Sequence, residues 1–209
     1  WYVISLRPQE GLASLRRAAR KHGATVFALP TLRLSSLDAH AQLSAALRAD
    51  VVIVTSPAAA RHAHSQRELR QKRRQTWFAV GAGTAAVLRR IGLHDVHTPA
   101  QGNDSAALLR HPLLADLRGK SIGVLTAPGG RDLIAAAVRA RGGTLLRADV
   151  YQRAPAPIAA HRWRRLQALL ATSAVFMSSA EALDNLWRAA AAPERARLLR
   201  MACITSSPR

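Results

Sequence analysis

Residues 119–151 read GKSIGVLTAPGGRDLIAAAVRARGGTLLRADVY. The stretch opens with a short apolar strand and turns at the Pro-Gly-Gly sequence of residues 128–130. Residues 131–140 then carry apolar side chains at the spacing of one helix face, namely Leu133, Ile134, Ala137 and Val138. Two glycines follow, as is typical where a helix ends, and TLLRADVY returns as a strand. The stretch therefore predicts a strand–helix–strand unit of a parallel sheet.

The start of the chain uses the same pattern. A strand at residues 1–6, WYVISL, leads through Arg7-Pro8 into a helix at residues 9–21. The apolar face of that helix consists of Leu12, Leu15, Ala18 and Ala19. Gly23 ends the helix, and TVFALP (25–30) is the returning strand. The two stretches are copies of one unit.

A second kind of unit also occurs twice, at residues 49–63 and 171–186. Each is a run of apolar residues that ends in hydroxyl side chains and continues into alanines, which is typical of a buried parallel strand feeding a helix. The hydroxyls stand where helix N-caps belong, and capping alone would explain them. A third unit, at residues 77–93, has a faint partner at residues 201–209.

Two copies of one set of units predict two similar domains, with the second copy circularly shifted. We expect one lobe built from both chain ends, residues 1–33 with 155–209, and an inserted lobe at residues 36–148. The chain crosses between them in PTLRLSS (30–36) and in DVYQRAPAP (149–157). Clefts between such domains are common ligand sites.

Composition limits the class of protein. Basic residues number 31 against 12 acidic ones, a formal net charge of +19. This excess attracts anions in general, including nucleic acid, acidic lipid and small polycarboxylates. No run of residues is long and apolar enough for a membrane span, and Cys203 has no internal disulfide partner. We therefore expect a cytoplasmic protein, with Cys203 filling the core.

Three weaker signals are read as structural. The basic run at residues 61–75 is more typical of a solvated helix face than of a nucleic-acid site, because arginines are scattered over every predicted helix. The pairs His62 with His64 and His94 with His97 have no cysteine or carboxylate cluster to complete a metal site. The VGAGTA sequence lacks the spacing of a dinucleotide-binding turn.

The order and spacing of several short motifs resemble the uroporphyrinogen-III synthase family over the whole chain. The motifs are Arg7-Pro8, Pro30, VTSPAAA (54–60), VGAGTAAVLRRIG (80–92), the proline and Ser105 of PAQGNDSAALL (99–109), GGR (129–131), RGG (141–143), VYQR (150–153) and FMSSAEAL (176–183). None of these motifs is specific alone.

The resemblance implies two Rossmann- or flavodoxin-like lobes joined by a two-stranded linker. It also implies a cofactor-free hydro-lyase that cyclises the linear tetrapyrrole hydroxymethylbilane to uroporphyrinogen III. The substrate's hydroxyl leaves as water, and the last ring is inverted through a spiro intermediate. Each of the four pyrroles carries acetate and propionate groups, which gives the net positive charge a target.

We expect the substrate to bind outside the carboxyl ends of the strands, where backbone-rich turns at helix N-termini bind carboxylates. The expected substrate-binding residues are Arg7, Thr55, Ser56, Gly83, Thr84, Ser105, Gly129, Gly130, Arg131, Ser178, Ser179 and Ser206. Tyr151 in the VYQR sequence matches a tyrosine singled out in the family and is the candidate proton donor. Two other roles stay open: it orients the substrate, or it packs its ring in the linker and bonds locally.

Other expectations are a monomer, no bound metal, and no nucleic-acid or membrane partner. The family resembled here continues beyond ITSSPR with another helix and strand, so we expect a shortened first lobe and an altered setting for Ser206. A non-enzymatic two-lobed protein that closes on an anionic small molecule is the alternative, because the same architecture would serve it.

Overall fold

The structure, a computed structural model, describes residues 1–8, 12–129, 132–169, 172–177 and 179–205. The chain divides into two compact units. Unit 1 comprises Trp1–Leu34 and Arg153–Arg209, and unit 2 comprises Ser35–Gln152.

The strands are β1 (Tyr2–Ser5), β2 (Thr25–Ala28), β3 (Leu32–Ser36), β4 (Val51–Val54), β5 (Thr76–Ala79), β6 (Val96–His97), β7 (Ser121–Thr126), β8 (Thr144–Asp149), β9 (Tyr151–Pro155), β10 (Ala174–Met177) and β11 (Ala202–Thr205). The helices are α1 (Leu12–Lys21), α2 (His40–Ala46), α3 (Pro57–Gln66), α4 (Ala82–Arg90), α5 (Ser105–Leu108), α6 (Leu133–Ala140), α7 (Ala160–Gln167), α8 (Ala180–Ala189) and α9 (Ala192–Leu198). A short 3₁₀ helix spans Pro112–Leu114.

Unit 2 is built on a five-stranded parallel sheet in the order β6-β5-β4-β7-β8. From β4 the chain moves outward to β5 and β6 on one side. It then returns to β7, beside β4, and moves to β8 on the other side. The strand order therefore reverses between β4 and β7, and in open α/β sheets such a switch point is where ligands bind.

The sequence explains why this sheet is buried on both faces. All four residues of β4, Val51–Val54, are buried, as expected for a central parallel strand. One face packs on α5 and α6 through a cluster that includes Ile53, Phe78 and Ile134. At Gly123 of β7 an added Cβ would lie 2.1 Å from the Ala46 carbonyl oxygen. Only glycine therefore allows the end of α2 to approach the sheet so closely.

Unit 1 contains a four-stranded parallel sheet in the order β11-β10-β1-β2. Its pair β1-β2 corresponds to β7-β8 of unit 2, and β10 and β11 correspond to β4 and β5. The repeated units of the sequence are thus confirmed as two α/β sheets of one topology. The core of this unit includes Ile4, Leu29 and Leu166.

Strands β3 and β9 pair with each other in a separate two-stranded sheet. The unit boundary falls within both strands, after Leu34 and after Gln152.

Three side-chain expectations from the sequence are wrong. Leu133 is the first residue of α6 and is 42% exposed, while Ala135 is buried in its place. Ala18 is exposed on α1, where only Leu12 and Ala19 are buried. Cys203 is exposed and does not fill the core, since every residue of β11 is exposed.

The positive charge lies at the surface. Every arginine in the described part of the chain is exposed or half-buried, in agreement with solvated helix faces. None of the helices formed by the described residues has the length and apolar character needed to cross a membrane.

His111 of unit 2 packs beside a phenylalanine and a second histidine. The ring of His111 lies 5.0 Å from the ring of Phe78 and 5.3 Å from that of His97, measured between centroids. Its Nδ1 accepts a hydrogen bond from the Leu113 N–H at the start of the 3₁₀ helix. Burial, and then the neighbouring His97, lower the pKa of the His111 imidazole below its usual 6.5.

Acid should therefore destabilise unit 2 through His111. Below about pH 6.5 the unfolded chain binds a proton at this residue before the folded chain does, so the free energy of unfolding falls as the pH falls. We expect His111→Asn to weaken this dependence, because asparagine keeps a capping acceptor and does not titrate. Urea unfolding of both proteins between pH 5 and pH 8 measures the difference. Parallel pH profiles for the two proteins would contradict the assignment.

Candidate functional site

Two threonines, Thr55 and Thr126, are hydrogen-bonded to each other at the switch point of unit 2. Thr55 directly follows β4, and its Oγ1 donates to the Leu125 carbonyl oxygen at 3.2 Å and bonds the Thr126 hydroxyl at 3.0 Å. The Thr55 N–H also donates to Leu125 O, at 3.1 Å. These bonds extend the pairing of β4 with β7 by one residue. They also leave Thr55 half-buried at the carboxyl edge of the sheet.

Ser56 connects this edge to a buried tyrosine. Its Oγ accepts the Ala59 N–H at 3.0 Å and so caps the N-terminus of α3. The same oxygen lies 3.1 Å from the hydroxyl of Tyr151, the first residue of β9. Tyr151 is 6% exposed. The Tyr151 ring is therefore buried and its hydroxyl is hydrogen-bonded within the unit, which are the features expected if the residue only packs. The same hydroxyl also lies beside the capped N-terminus of α3.

Further side chains of α3 hold the Tyr151 segment. The His62 ring stacks on the Tyr151 ring, with centroids 5.3 Å apart and planes inclined by 11°. His62 Nδ1 is 2.8 Å from Ser36 Oγ. One turn later, Gln66 Nε2 donates to the Val150 carbonyl oxygen at 3.0 Å. Sequence reasoning missed these contacts, since His62 drew notice only as half of a metal-like pair.

The turn after β5 begins the nine-residue helix α4. Gly81 is its N-cap, and the Ala82 N–H donates to Asn103 Oδ1 at 3.3 Å. Gly83 is exposed in the first turn, whereas Thr84 is only 2% exposed. The Thr84 side chain is therefore buried in the unit, and the substrate-binding role predicted for Thr84 stays a prediction.

The loop that precedes Ser105 contacts this turn. Ser105 is the first residue of α5 and is half-buried. Asp104 caps that helix by accepting the Ala107 N–H at 2.8 Å. The Asn103 contact with Ala82 brings the loop to the start of α4. No sequence motif pointed to Asn103.

Arg147 bonds residues on both sides of the turn that follows β7. Gly129 is exposed with φ +69°, a conformation that favours glycine. Arg147 of β8 donates to the Ala127 carbonyl oxygen at 3.2 Å and to Asp132 Oδ1 at 3.0 Å. Its Nε also bonds the Asp149 carboxylate at 3.0 Å. Arg147 therefore fixes residues on both sides of the turn, and two carboxylates balance its charge.

Unit 1 has its own carboxyl edge. The order of its strands reverses between β1 and β10, whose ends are aligned by the pairing of Ser5 with Phe176. Arg7 follows β1, is half-buried, and donates its N–H to Ser5 Oγ at 3.4 Å. Ser179 precedes α8 and accepts the Ala182 N–H at 3.1 Å. Within unit 1 the two residues thus follow neighbouring strands.

Four predicted site residues lie outside the described residues: Gly130, Arg131, Ser178 and Ser206. The residues that hydrogen bonds bring together in unit 2 are Thr55, Ser56, Tyr151 and Thr126. In the part of the chain that the structure covers, no group of three or more His, Cys, Asp or Glu side chains is arranged to hold a metal ion.

The two capping serines provide a matched pair for testing the Ser56–Tyr151 bond. Ser179→Ala removes only a cap and should cost about 1 kcal/mol of unfolding free energy. Ser56→Ala removes a cap and also a partner of the buried Tyr151 hydroxyl, so we expect about 1 kcal/mol more. In a Tyr151→Phe background, Ser56→Ala should cost only the capping amount. Urea unfolding followed by circular dichroism tests this. Equal costs of Ser56→Ala in the two backgrounds would show that the bond contributes nothing.

Comparison with known proteins identifies the family. The family model described as "Uroporphyrinogen-III synthase HemD" matches residues 13–208. The uroporphyrinogen-III synthase of Escherichia coli K12 is 28% identical over 196 residues, which cover 88% of this chain and 78% of the relative. That of Salmonella typhimurium LT2 is 30% identical over 148 residues, covering 66% of this chain and 57% of the relative.

Solved structures agree on the fold. A mutant uroporphyrinogen III synthase from the extremely thermophilic bacterium Thermus thermophilus superposes with a TM-score of 0.60 at 22% identity, covering 98% of this chain and 84% of that one. The enzyme from Helicobacter pylori 26695 gives 0.59 at 12% identity, covering 98% and 83%. With the family match over residues 13–208, these findings place the chain in the uroporphyrinogen-III synthase family.

Proposed function

We propose that this chain cyclises hydroxymethylbilane to uroporphyrinogen III with loss of water, as its family does in tetrapyrrole biosynthesis. The family match over residues 13–208 is the observation that carries the proposal. It favours a hydro-lyase over a non-enzymatic binding protein. No cofactor takes part in the proposed reaction.

The proposed binding mode follows from the substrate's carboxylates and the chain's charge. A net charge of +19 raises the local concentration of a polyanion. The N-termini of α3, α4 and α8 favour carboxylates through the helix dipole, together with the first-turn N–H groups that Ser56, Asn103 and Ser179 do not already bind. We assign carboxylate binding to exposed or half-buried groups at the carboxyl edges, namely Arg7, Thr55, Gly83, Ser105, Gly129 and Ser179. Ser56, Thr84, Gly130, Arg131, Ser178 and Ser206 remain predictions from the sequence for the same role.

Arg147 supports this binding indirectly. Its side chain bonds Ala127 and Asp132 on either side of the Gly129 turn. Since Asp132 and Asp149 already neutralise it, Arg147 is better suited to hold the turn than to bind a substrate carboxylate. A turn fixed at both ends loses less conformational freedom when the ligand binds.

Tyr151 is the proposed proton donor to the departing hydroxyl of the bilane. Transfer of the phenolic proton turns that hydroxyl into water and leaves a phenolate. The electrophilic terminal carbon is then attacked by the substituted carbon of the last ring, which gives the spiro intermediate. The bond between that substituted carbon and its original methylene bridge breaks, and the freed methylene carbon bonds the unsubstituted α carbon of the inverted ring, which then loses its proton. The proton lost when the macrocycle closes returns to Tyr151, so the phenol is restored and one water is released.

Ser56 would assist in that step. Its oxygen already accepts the Ala59 N–H, which leaves its own hydroxyl proton available to the Tyr151 oxygen 3.1 Å away. In this direction Ser56 donates, and the Tyr151 proton stays free for the substrate. A phenolate at Tyr151 would also lie close to the N-terminus of α3, where the helix dipole stabilises negative charge.

Product analysis tests the proposed reaction itself. The protein is added to freshly prepared hydroxymethylbilane, the product is oxidised, and the isomers are resolved. Spontaneous closure gives the type I ring, so type III product above the protein-free control supports the proposal. Type I alone, from folded protein, would contradict it.

Replacing Tyr151 by phenylalanine tests the proton donor. Because proton transfer contributes roughly 100-fold or more to such steps, kcat for type III formation should fall by about that factor. KM should change little, since the carboxylate contacts remain. Steady-state kinetics with circular dichroism as the folding control measures both. An unchanged kcat in a folded Tyr151→Phe protein would leave Tyr151 with the packing role only.

The remaining expectations also belong to this proposal. A monomer that acts in the cytoplasm, without nucleic acid or membrane as partner, is the form predicted from the sequence. The described residues add that none of their helices is suited to span a membrane.

A further inference from the structure

We propose that His62 is a positioning residue for Tyr151, holding the phenol ring at the angle from which its hydroxyl serves the reaction. This inference rests on the proposed function of Tyr151 and names a residue that neither the motifs nor the family match singled out.

The first observation is the geometry of the ring pair. The two planes are inclined by only 11°, and the centroids are 5.3 Å apart, within the range of an offset stack. A face-to-face neighbour limits rotation of the tyrosine about its ring axis and blocks tilting toward one side. The Ser56 contact fixes only the hydroxyl end, so the stack supplies the restraint on the ring face.

The second observation is that the histidine is itself held. Its Nδ1 lies 2.8 Å from Ser36 Oγ on β3. His62 is also on α3, the helix that Ser56 caps and from which Gln66 bonds Val150. The imidazole is therefore held by its place on α3 and by its contact with Ser36 of β3, which is what a positioning group requires.

The third observation is the position of the contact in the chain. Tyr151 begins β9, directly after Val150, and its backbone neighbour is already fixed through the Gln66 and Leu37 bonds to Val150 O. With the backbone held, the remaining freedom of Tyr151 lies in its side-chain torsions. His62 contacts the part of the residue that those torsions move.

The consequence is a specific effect on catalysis. A phenol displaced by about 1 Å can cost up to about 100-fold in rate, so partial loss of alignment should lower kcat about tenfold. Substrate binding should change less than about twofold in KM, because the carboxylate-binding turns are separate from His62.

Ring shape distinguishes positioning from simple volume. His62→Phe keeps a flat ring that can stack, while His62→Leu fills similar space without one. We expect kcat of the phenylalanine variant within about threefold of wild type and kcat of the leucine variant about tenfold lower. His64→Ala, on the same helix but in contact with Leu69, is the matched control and should retain wild-type kcat.

A readout independent of activity is available because the chain has two tyrosines, Tyr2 and Tyr151. In protein carrying ring-¹³C tyrosine, the stacked His62 ring shifts the Tyr151 signals. His62→Leu should move those signals and leave the Tyr2 signals in place, which makes Tyr2 an internal control. His62→Phe should restore a ring-current shift at Tyr151.

The outcomes separate the two proposals. If Tyr151→Phe is as active as wild type, the proposed role of Tyr151 fails, whatever His62 does. If Tyr151→Phe is impaired but His62→Leu keeps wild-type kcat, the His62 proposal is overturned. It is also overturned if His62→Leu lowers kcat by the same factor in the Tyr151→Phe background. Support requires a kcat loss that phenylalanine rescues and that disappears without the Tyr151 hydroxyl.

Discussion

The hydroxyl of Ser56 makes two contacts on which the arrangement of unit 2 depends. It accepts the Ala59 N–H and so begins α3, and it bonds the Tyr151 hydroxyl 95 residues further along the chain. The Ser56 oxygen, just after the end of β4, therefore contacts both the first turn of α3 and the Tyr151 phenol. The strand end is the one where the sheet reverses its order, and ligands of open α/β sheets gather at such points.

The same design recurs in simpler form in unit 1. Ser179 caps α8 after β10, in the place that Ser56 has after β4. Each sheet therefore has a serine-capped helix N-terminus at its carboxyl edge. For a substrate that carries carboxylates on every ring, such turns supply many weak, similar contacts. In the proposed mechanism, proton transfer is assigned to Tyr151 of unit 2.

Much of the fold was predictable because local patterns agree with it. Apolar runs, hydroxyls at strand ends and glycines after helices indicate the strands and their helices, and the repeat indicated two similar sheets. Burial was less predictable, since it depends on what packs on each face. Leu133 is exposed although its spacing suggested a core position, and Cys203 is exposed although its strand is apolar. The stacking of His62 on Tyr151 joins residues 89 positions apart, and no local pattern encodes it.

In the proposed mechanism, Ser56 serves the reaction through the Tyr151 hydroxyl. This role is tested most directly by the rate of uroporphyrinogen III formation in wild type, Ser56→Ala, Tyr151→Phe and the double variant. We expect Ser56→Ala to slow the wild-type chain about threefold or more and to leave the Tyr151→Phe rate unchanged. The same slowing factor in both backgrounds would contradict it.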